Sequence, residues 1–140
     1  MLFLLYNINM KNNYIRDEHR VHYICYHLVW SPKRRKKVLM GSIAEDCNRL
    51  IREKCDLLGW KVVELSIQPD HIHLFVQAFP SVSAETIVKE CKGYISYNIR
   101  TKYEELKKLP CLWTKSYFAS TAGLVSSDTI AKYIEGQSKN

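Results

Sequence analysis

The sequence predicts an α+β fold: a four-stranded antiparallel sheet in βαββαβ order, with one more helix at the C-terminus. Three observations predict it. Two apolar runs, residues 60–67 and 71–78, are separated only by Gln68-Pro69-Asp70, the pattern of a hairpin. Two segments, 42–58 and the stretch that begins at Ser83, repeat apolar residues at the helical period. One strand-like run precedes the first of these helices and another follows the second.

Taken in order, residues 21–30 are rich in β-branched and aromatic types and read as the first strand. In 42–58, Ile43, Cys47, Leu50, Ile51, Cys55 and Leu58 form one stripe. Ser42 is placed to cap that helix, with Glu45 completing a capping box, and Gly59 is placed to end it. The hairpin 60–67 and 71–78 follows. The second helix carries Ile87, Cys91, Tyr94, Ile95 and Ile99, and its pattern runs to about Leu106 across a weakening Gly93. Leu112 to Ser120 reads as the fourth strand, and Ser126-Ser127-Asp128 caps a last helix over 128–137. Strand, helix, strand, strand, helix, strand is the order of a ferredoxin-like (RRM-like) sheet, in which the first and third strands lie together at the centre. One domain, 19–140, accounts for all of this. Residues 1–18 read as an N-terminal extension, apolar at Met1-Leu2-Phe3-Leu4-Leu5 but too short for a membrane span.

Composition narrows the class. A 140-residue chain with 46% hydrophobic and 25% charged residues can bury its own core. Its net charge of +7 points to a polyanionic partner, and Lys33-Arg34-Arg35-Lys36-Lys37 concentrates that charge ahead of a helix, where phosphate contact is expected. Five cysteines without a Cys-x-x-Cys argue against a disulfide framework or a zinc ribbon and for a reducing, cytoplasmic setting.

The chemistry centres on Asp70-His71-Ile72-His73. Residues i and i+2 of a strand share a face, with Cα atoms roughly 6.5–7 Å apart. Two imidazoles so placed can hold one cation, although the same pair could simply alternate outward on a half-exposed strand. Asp70 alone reads as a turn residue. Tyr133 and Gln137 lie four apart in the last helix, on one face, where they could present a nucleophile and a ligand together; Tyr133 alone also fits core packing. Trp30, Trp113, Tyr117 and Phe118 could stack bases or be core, with Trp113 and Phe118 expected in the core.

Together these segments resemble the single-tyrosine HUH transposases of small bacterial and archaeal insertion sequences, the IS200-like type. The likeness spans His19 to Gln137. His27-Leu28-Val29-Trp30-Ser31-Pro32-Lys33 is similar to that family's first strand and loop. Pro69-Asp70-His71-Ile72-His73-Leu74 is similar to its metal strand, and Val88-Lys89-Glu90-Cys91-Lys92-Gly93 to its second helix. Leu112 through Phe118 resembles the fourth strand, and Tyr133-Ile134-Glu135-Gly136-Gln137 the catalytic helix.

The resemblance implies a DNA transposase that cleaves and rejoins single-stranded DNA at hairpin-marked element ends through a 5′-phosphotyrosine. It implies Tyr133 as nucleophile and His71, His73 and Gln137 as ligands of Mg2+ or Mn2+. It also implies a homodimer whose active sites are shared between subunits. Lys33 to Lys37, Lys89, Lys92 and Tyr117 are the expected DNA contacts. Gly136, costing about 1 kcal/mol in a helix relative to alanine, suggests a mobile catalytic helix. The competing readings are a replication-initiator or relaxase-type HUH nickase, for which the chain lacks room for the usual extra domains, and a non-catalytic module that binds single-stranded nucleic acid.

Overall fold

The computed structural model describes residues 24–121 and 134–136. Strand β1 (Ile24–Trp30) leads through a short 3-10 turn (Lys33–Arg35) into α1 (Gly41–Leu58). Strands β2 (Lys61–Gln68) and β3 (His71–Ala78) form the expected hairpin. Then come α2 (Ala84–Ile99), a single turn α3 (Glu104–Lys107) and β4 (Phe118–Thr121). The sheet order is β2-β3-β1-β4, antiparallel throughout. This is the ferredoxin-like arrangement, with β1 and β3 central.

Alternation along the central strands builds two different faces. Leu28 and Trp30 of β1 and Ile72, Leu74 and Val76 of β3 are buried against Ile43, Cys47, Leu50 and Ile51 of α1 and Ile87, Cys91 and Ile95 of α2. Each fully buried leucine or isoleucine contributes roughly 1.5–3 kcal/mol. Strand β2 joins this core only because of a bulge between Val62 and Glu64. Val62 pairs with Val76 and Leu65 with Leu74, so both reach the core side although they are three positions apart. The bulge takes up the extra residue, Val63, which is exposed.

Several boundaries differ from expectation for identifiable reasons. Helix α1 starts one residue early: Met40 is its N-cap and no side chain caps it, so the Ser42–Glu45 capping box does not form. Ser83 does cap α2, its hydroxyl accepting from the Thr86 amide at 3.1 Å. Helix α2 ends at Ile99 rather than near Leu106. There Arg100 donates to the carbonyls of Leu106 and Leu109, and Asp46 of α1 accepts from Lys102 and Tyr103 at 2.8 and 2.5 Å. These bonds, Lys102 first and then Tyr103, hold the Asp46 carboxyl below its usual range. Leu106 is buried all the same, from a separate turn. The fourth strand is also shorter than expected. Pro32 bridges Trp113 and the Thr114 amide donates to Ser31, but regular pairing with β1 begins only at Phe118. Between the two, Lys92 takes the carbonyls of Thr114 and Ser116. Trp113 lies in the core as expected, whereas half-buried Phe118 pairs with Val29 and shares the other face of the sheet. Residues 21–23, the 1–18 extension and all of the 128–137 helix except 134–136 lie outside the described residues.

Gly59 closes α1 with a positive φ of 78°. Its amide donates to Asp56 and that of Trp60 to Cys55, the paired bonds of a Schellman motif. A Cβ there would meet no atom within 4 Å, so alanine costs only the backbone conformation. We expect Gly59→Ala to lower stability by about 1 kcal/mol, read as a fall in urea midpoint at constant slope. An unchanged midpoint would contradict this account of the helix end.

Candidate functional site

The alternation that buries Ile72 and Leu74 puts His71, His73 and Phe75 on the face away from α1 and α2. Register then adds a residue the sequence reading did not single out. Val29 pairs with His73 and His27 with Phe75, so His27 stands on the same face, diagonal to His73. Its ring stacks on Phe75, with centroids 4.4 Å apart and 6° between planes. His27 Nδ1 lies 3.3 Å from His73 Nε2, within hydrogen-bond reach. The alternation within β1 held a signal for His27, since Leu28 and Trp30 are the apolar partners of a core face. The β1–β3 register that brings it to His73 depends on contacts 46 residues apart.

The two motif histidines are held differently. Asp70 Oδ1 lies 2.9 Å from His71 Nδ1. A carboxylate only accepts, so Nδ1 carries the proton and Nε2 keeps its lone pair for a cation. For His73, burial lowers the pKa, and the neighbouring His27 lowers it further, favouring the neutral form that metals bind. His73 Nε2 must exchange His27 for a cation before it can serve as a ligand. Among the described residues no three His, Cys, Asp or Glu side chains converge on a metal position. The imidazole pair therefore fits a metal by donor chemistry but needs a further ligand.

Asp70, which reads as a turn residue in the sequence, connects this pair to the rest of the site. Burial alone would raise its pKa, but hydrogen bonds from His71 and Arg35 outweigh burial and hold the carboxyl low. Its second oxygen accepts from Arg35 Nε at 2.5 Å. Arg35 also donates through Nη1 to the carbonyl of Ile134. Residues 134–136 are helical, and they are the residues between Tyr133 and Gln137. Tyr133 and Gln137 themselves lie outside the described residues.

The basic run divides by orientation. Arg34, Lys36 and Lys37 are exposed, Lys33 is half-buried, and Arg35 points into the Asp70 and Ile134 contacts. Lys89, Lys92 and Tyr117 come together. With Glu85, Val88 and Lys115 they line a cavity of about 230 Å³, and Lys115 is an addition to the expected set. Lys92 is built into its wall, donating to Thr114 at 2.8 Å and Ser116 at 3.4 Å, while its own carbonyl accepts from the Trp113 indole. Three lysines and an aromatic ring suit phosphate and an unstacked base.

Comparisons with known proteins agree with the fold. The family model described as "Transposase IS200 like" matches residues 20–137. The chain is 32% identical over 120 residues to the ISDra2 transposase TnpA of Deinococcus radiodurans, covering 84% of this chain and 86% of that protein. It is 25% identical over 115 residues to the transposase for insertion sequence element IS200 of Salmonella typhimurium, covering 80% and 75%. A crystal structure of a candidate transposase from Deinococcus radiodurans R1 superposes with a TM-score of 0.77 at 31% identity, over 88% of this chain and 97% of that one. A REP-associated tyrosine transposase bound to a REP hairpin superposes with a TM-score of 0.55 at 11% identity, over 86% and 69%, a likeness of fold. Among the described residues no helix is long and apolar enough to cross a membrane.

The cavity wall predicts a titration. Burial pushes Lys92 down to about 8 from an ordinary 10.5, with Cys111 opposing weakly. Between those values the unfolded chain binds more protons at this site than the folded one, so this lysine makes stability rise with pH across that window. We expect a lysine side-chain NMR signal with a midpoint near pH 8 that disappears in Lys92→Arg. A Lys92 signal that titrates at the ordinary value would contradict the burial argument.

Proposed function

The chain belongs to the IS200-like transposase family, and from that membership we propose that it is a metal-dependent transferase of single-stranded DNA. It cuts one strand at hairpin-marked ends of its element and rejoins it through a 5′-phosphotyrosine. The observation that carries this reading is the hydrogen-bonded chain from His71 through Asp70 and Arg35 to the carbonyl of Ile134. It ties His71 of the motif to the residue next in sequence to Tyr133.

In this reading Tyr133 attacks phosphorus. The phenolic oxygen forms a bond to phosphorus as the bond to the 3′-oxygen breaks, the phenol gives up its proton, and the departing 3′-oxygen takes one up. The phosphodiester energy is kept in the phosphotyrosine, whose phenolate leaves readily because tyrosine has a pKa of about 10. A second 3′-hydroxyl can then reverse the step and join new ends. His71, His73 and Gln137 would hold the divalent cation. That ion, when bound, supplies Lewis-acid polarisation of a non-bridging phosphate oxygen. Neutral ligands leave its positive charge available to the phosphate, and imidazoles suit Mn2+ at least as well as Mg2+, which prefers oxygen. Asp70 keeps His71 in the tautomer that offers Nε2. Exposed Arg34, Lys36 and Lys37 and the Lys89–Lys92–Tyr117 cavity supply phosphate and base contacts. A homodimer, with active sites shared between subunits, completes the proposal.

The test is a covalent-adduct assay with the purified protein, Mn2+ or Mg2+, and single-stranded oligonucleotides copied from both flanks of its gene. We expect an SDS-resistant protein–DNA band that requires metal and vanishes in Tyr133→Phe. His71→Ala should reduce it at least roughly tenfold, the scale of a lost metal contact. Hairpin binding without an adduct, on both strands and with both metals, would replace this reading with that of a binding module.

A further inference from the structure

Arg35 lies within an exposed basic run, yet its side chain is turned inward. It is 21% exposed, and Asp70, its partner, 12%. Nε and Nη1 have separate acceptors, a carboxylate of the hairpin turn and a backbone carbonyl of the helical residues 134–136. The backbone is arranged to make this possible. Arg34 and Arg35 have φ of 57° and 54°, a left-handed conformation that side-chain-bearing residues rarely adopt. Such strain persists where surrounding contacts fix it, and here they do. The Lys33 amide donates to Leu112 and the Arg35 amide to Pro32, both at 2.8 Å, and the Leu39 amide donates to Pro69 at 3.0 Å. The loop is thereby fastened to the turn that carries Asp70.

We propose that Arg35 is a positioning residue that clamps the helical residues 134–136, next in sequence to Tyr133, against the metal strand, with Asp70 acting as the shared anchor that also orients His71. The proposal rests on the function given above. A phosphate-contacting arginine needs only its charge. A clamp needs the planar fork, because two acceptors on different segments must be met from one guanidinium. Asp70 divides its oxygens in the same manner, one to Arg35 and one to His71. Undocking of residues 134–136 therefore frees Arg35 Nη1 while Asp70 keeps its contacts to Arg35 Nε and His71, so metal binding and docking share an anchor without requiring each other.

Arg35→Lys and Asp70→Asn separate the possibilities, each first compared with the parent by thermal melting. The lysine keeps the charge and loses the fork. The asparagine can still accept from His71 through Oδ1 but not hold a guanidinium through its amide nitrogen. We expect Arg35→Lys to bind hairpin DNA within about twofold of the parent, with the same salt dependence. Amide exchange over 134–136 should quicken at least tenfold, and adduct formation should slow by a similar factor. Asp70→Asn should quicken exchange equally while keeping Mn2+ affinity, measured by EPR, within about threefold. Asp70→Ala should also weaken Mn2+ at least roughly tenfold. The double variant Arg35→Lys/Asp70→Asn should be no worse than either alone. Unchanged exchange in Arg35→Lys overturns the clamp, and unchanged exchange in Arg35→Gln with a loss of DNA affinity and a shallower salt slope assigns Arg35 to phosphate. Exchange and Mn2+ affinity are read without DNA cleavage. An adduct-negative parent with these shifts present would overturn the function and leave the clamp standing.

Discussion

The register between β1 and β3 is the constraint on which the site depends. Leu28 opposite Leu74, and Trp30 opposite Ile72, fix the two central strands by burying one face of each. Because side chains alternate, the same pairing obliges His27, His71 and His73 to share the other face. A slip of one residue would bury the histidines and expose the core set, an exchange no arrangement of the loops could offset. The apolar contacts thus place the polar chemistry. Since both strands are interior to the sheet, the imidazoles stand on backbone hydrogen-bonded on both sides.

Around that frame the chain repeatedly uses one charged side chain to fasten a segment the sheet does not reach. Asp46 gathers Lys102 and Tyr103 after α2. Lys92 holds the approach to β4 by two carbonyls. Arg35 holds residues 134–136 by one. Each contact has both partners satisfied, which is what makes a partly buried charge tolerable. The net charge of +7 is therefore not all available to a polyanion; among the described residues, Arg34, Lys36, Lys37, Lys89 and Lys115 are exposed near the site.

Much of this was legible in the sequence, and the reasons are local. The hairpin showed itself because Gln68-Pro69-Asp70 interrupts two apolar runs. The His-x-His pair showed itself because its period is that of a strand, and Gly59 because a helix stripe stops just before it. What escaped depends on partners far along the chain. Leu106 continues the stripe of α2 at helical spacing, so periodicity extends a helix that Arg100 and Asp46 actually turn. The Val62–Glu64 bulge is invisible until β3 is laid beside β2. Asp70 looked like a turn residue, and its position in the turn is the reason it can reach both His71 and Arg35. Arg35 looked like its basic neighbours, because nothing local marks the one member of the run that faces inward. His27 waited on a register set 46 residues away.

The central claim is that the face formed by this register, completed from the segment around residues 134–136, holds a catalytic cation. Crystals soaked in Mn2+ and measured at the manganese absorption edge test it most directly. The account predicts one strong anomalous peak bonded to the imidazoles of His71 and His73, with Gln137 as a third protein ligand and His27 no longer bonded to His73 Nε2. Manganese bound elsewhere, with the His27–His73 contact intact, would contradict it.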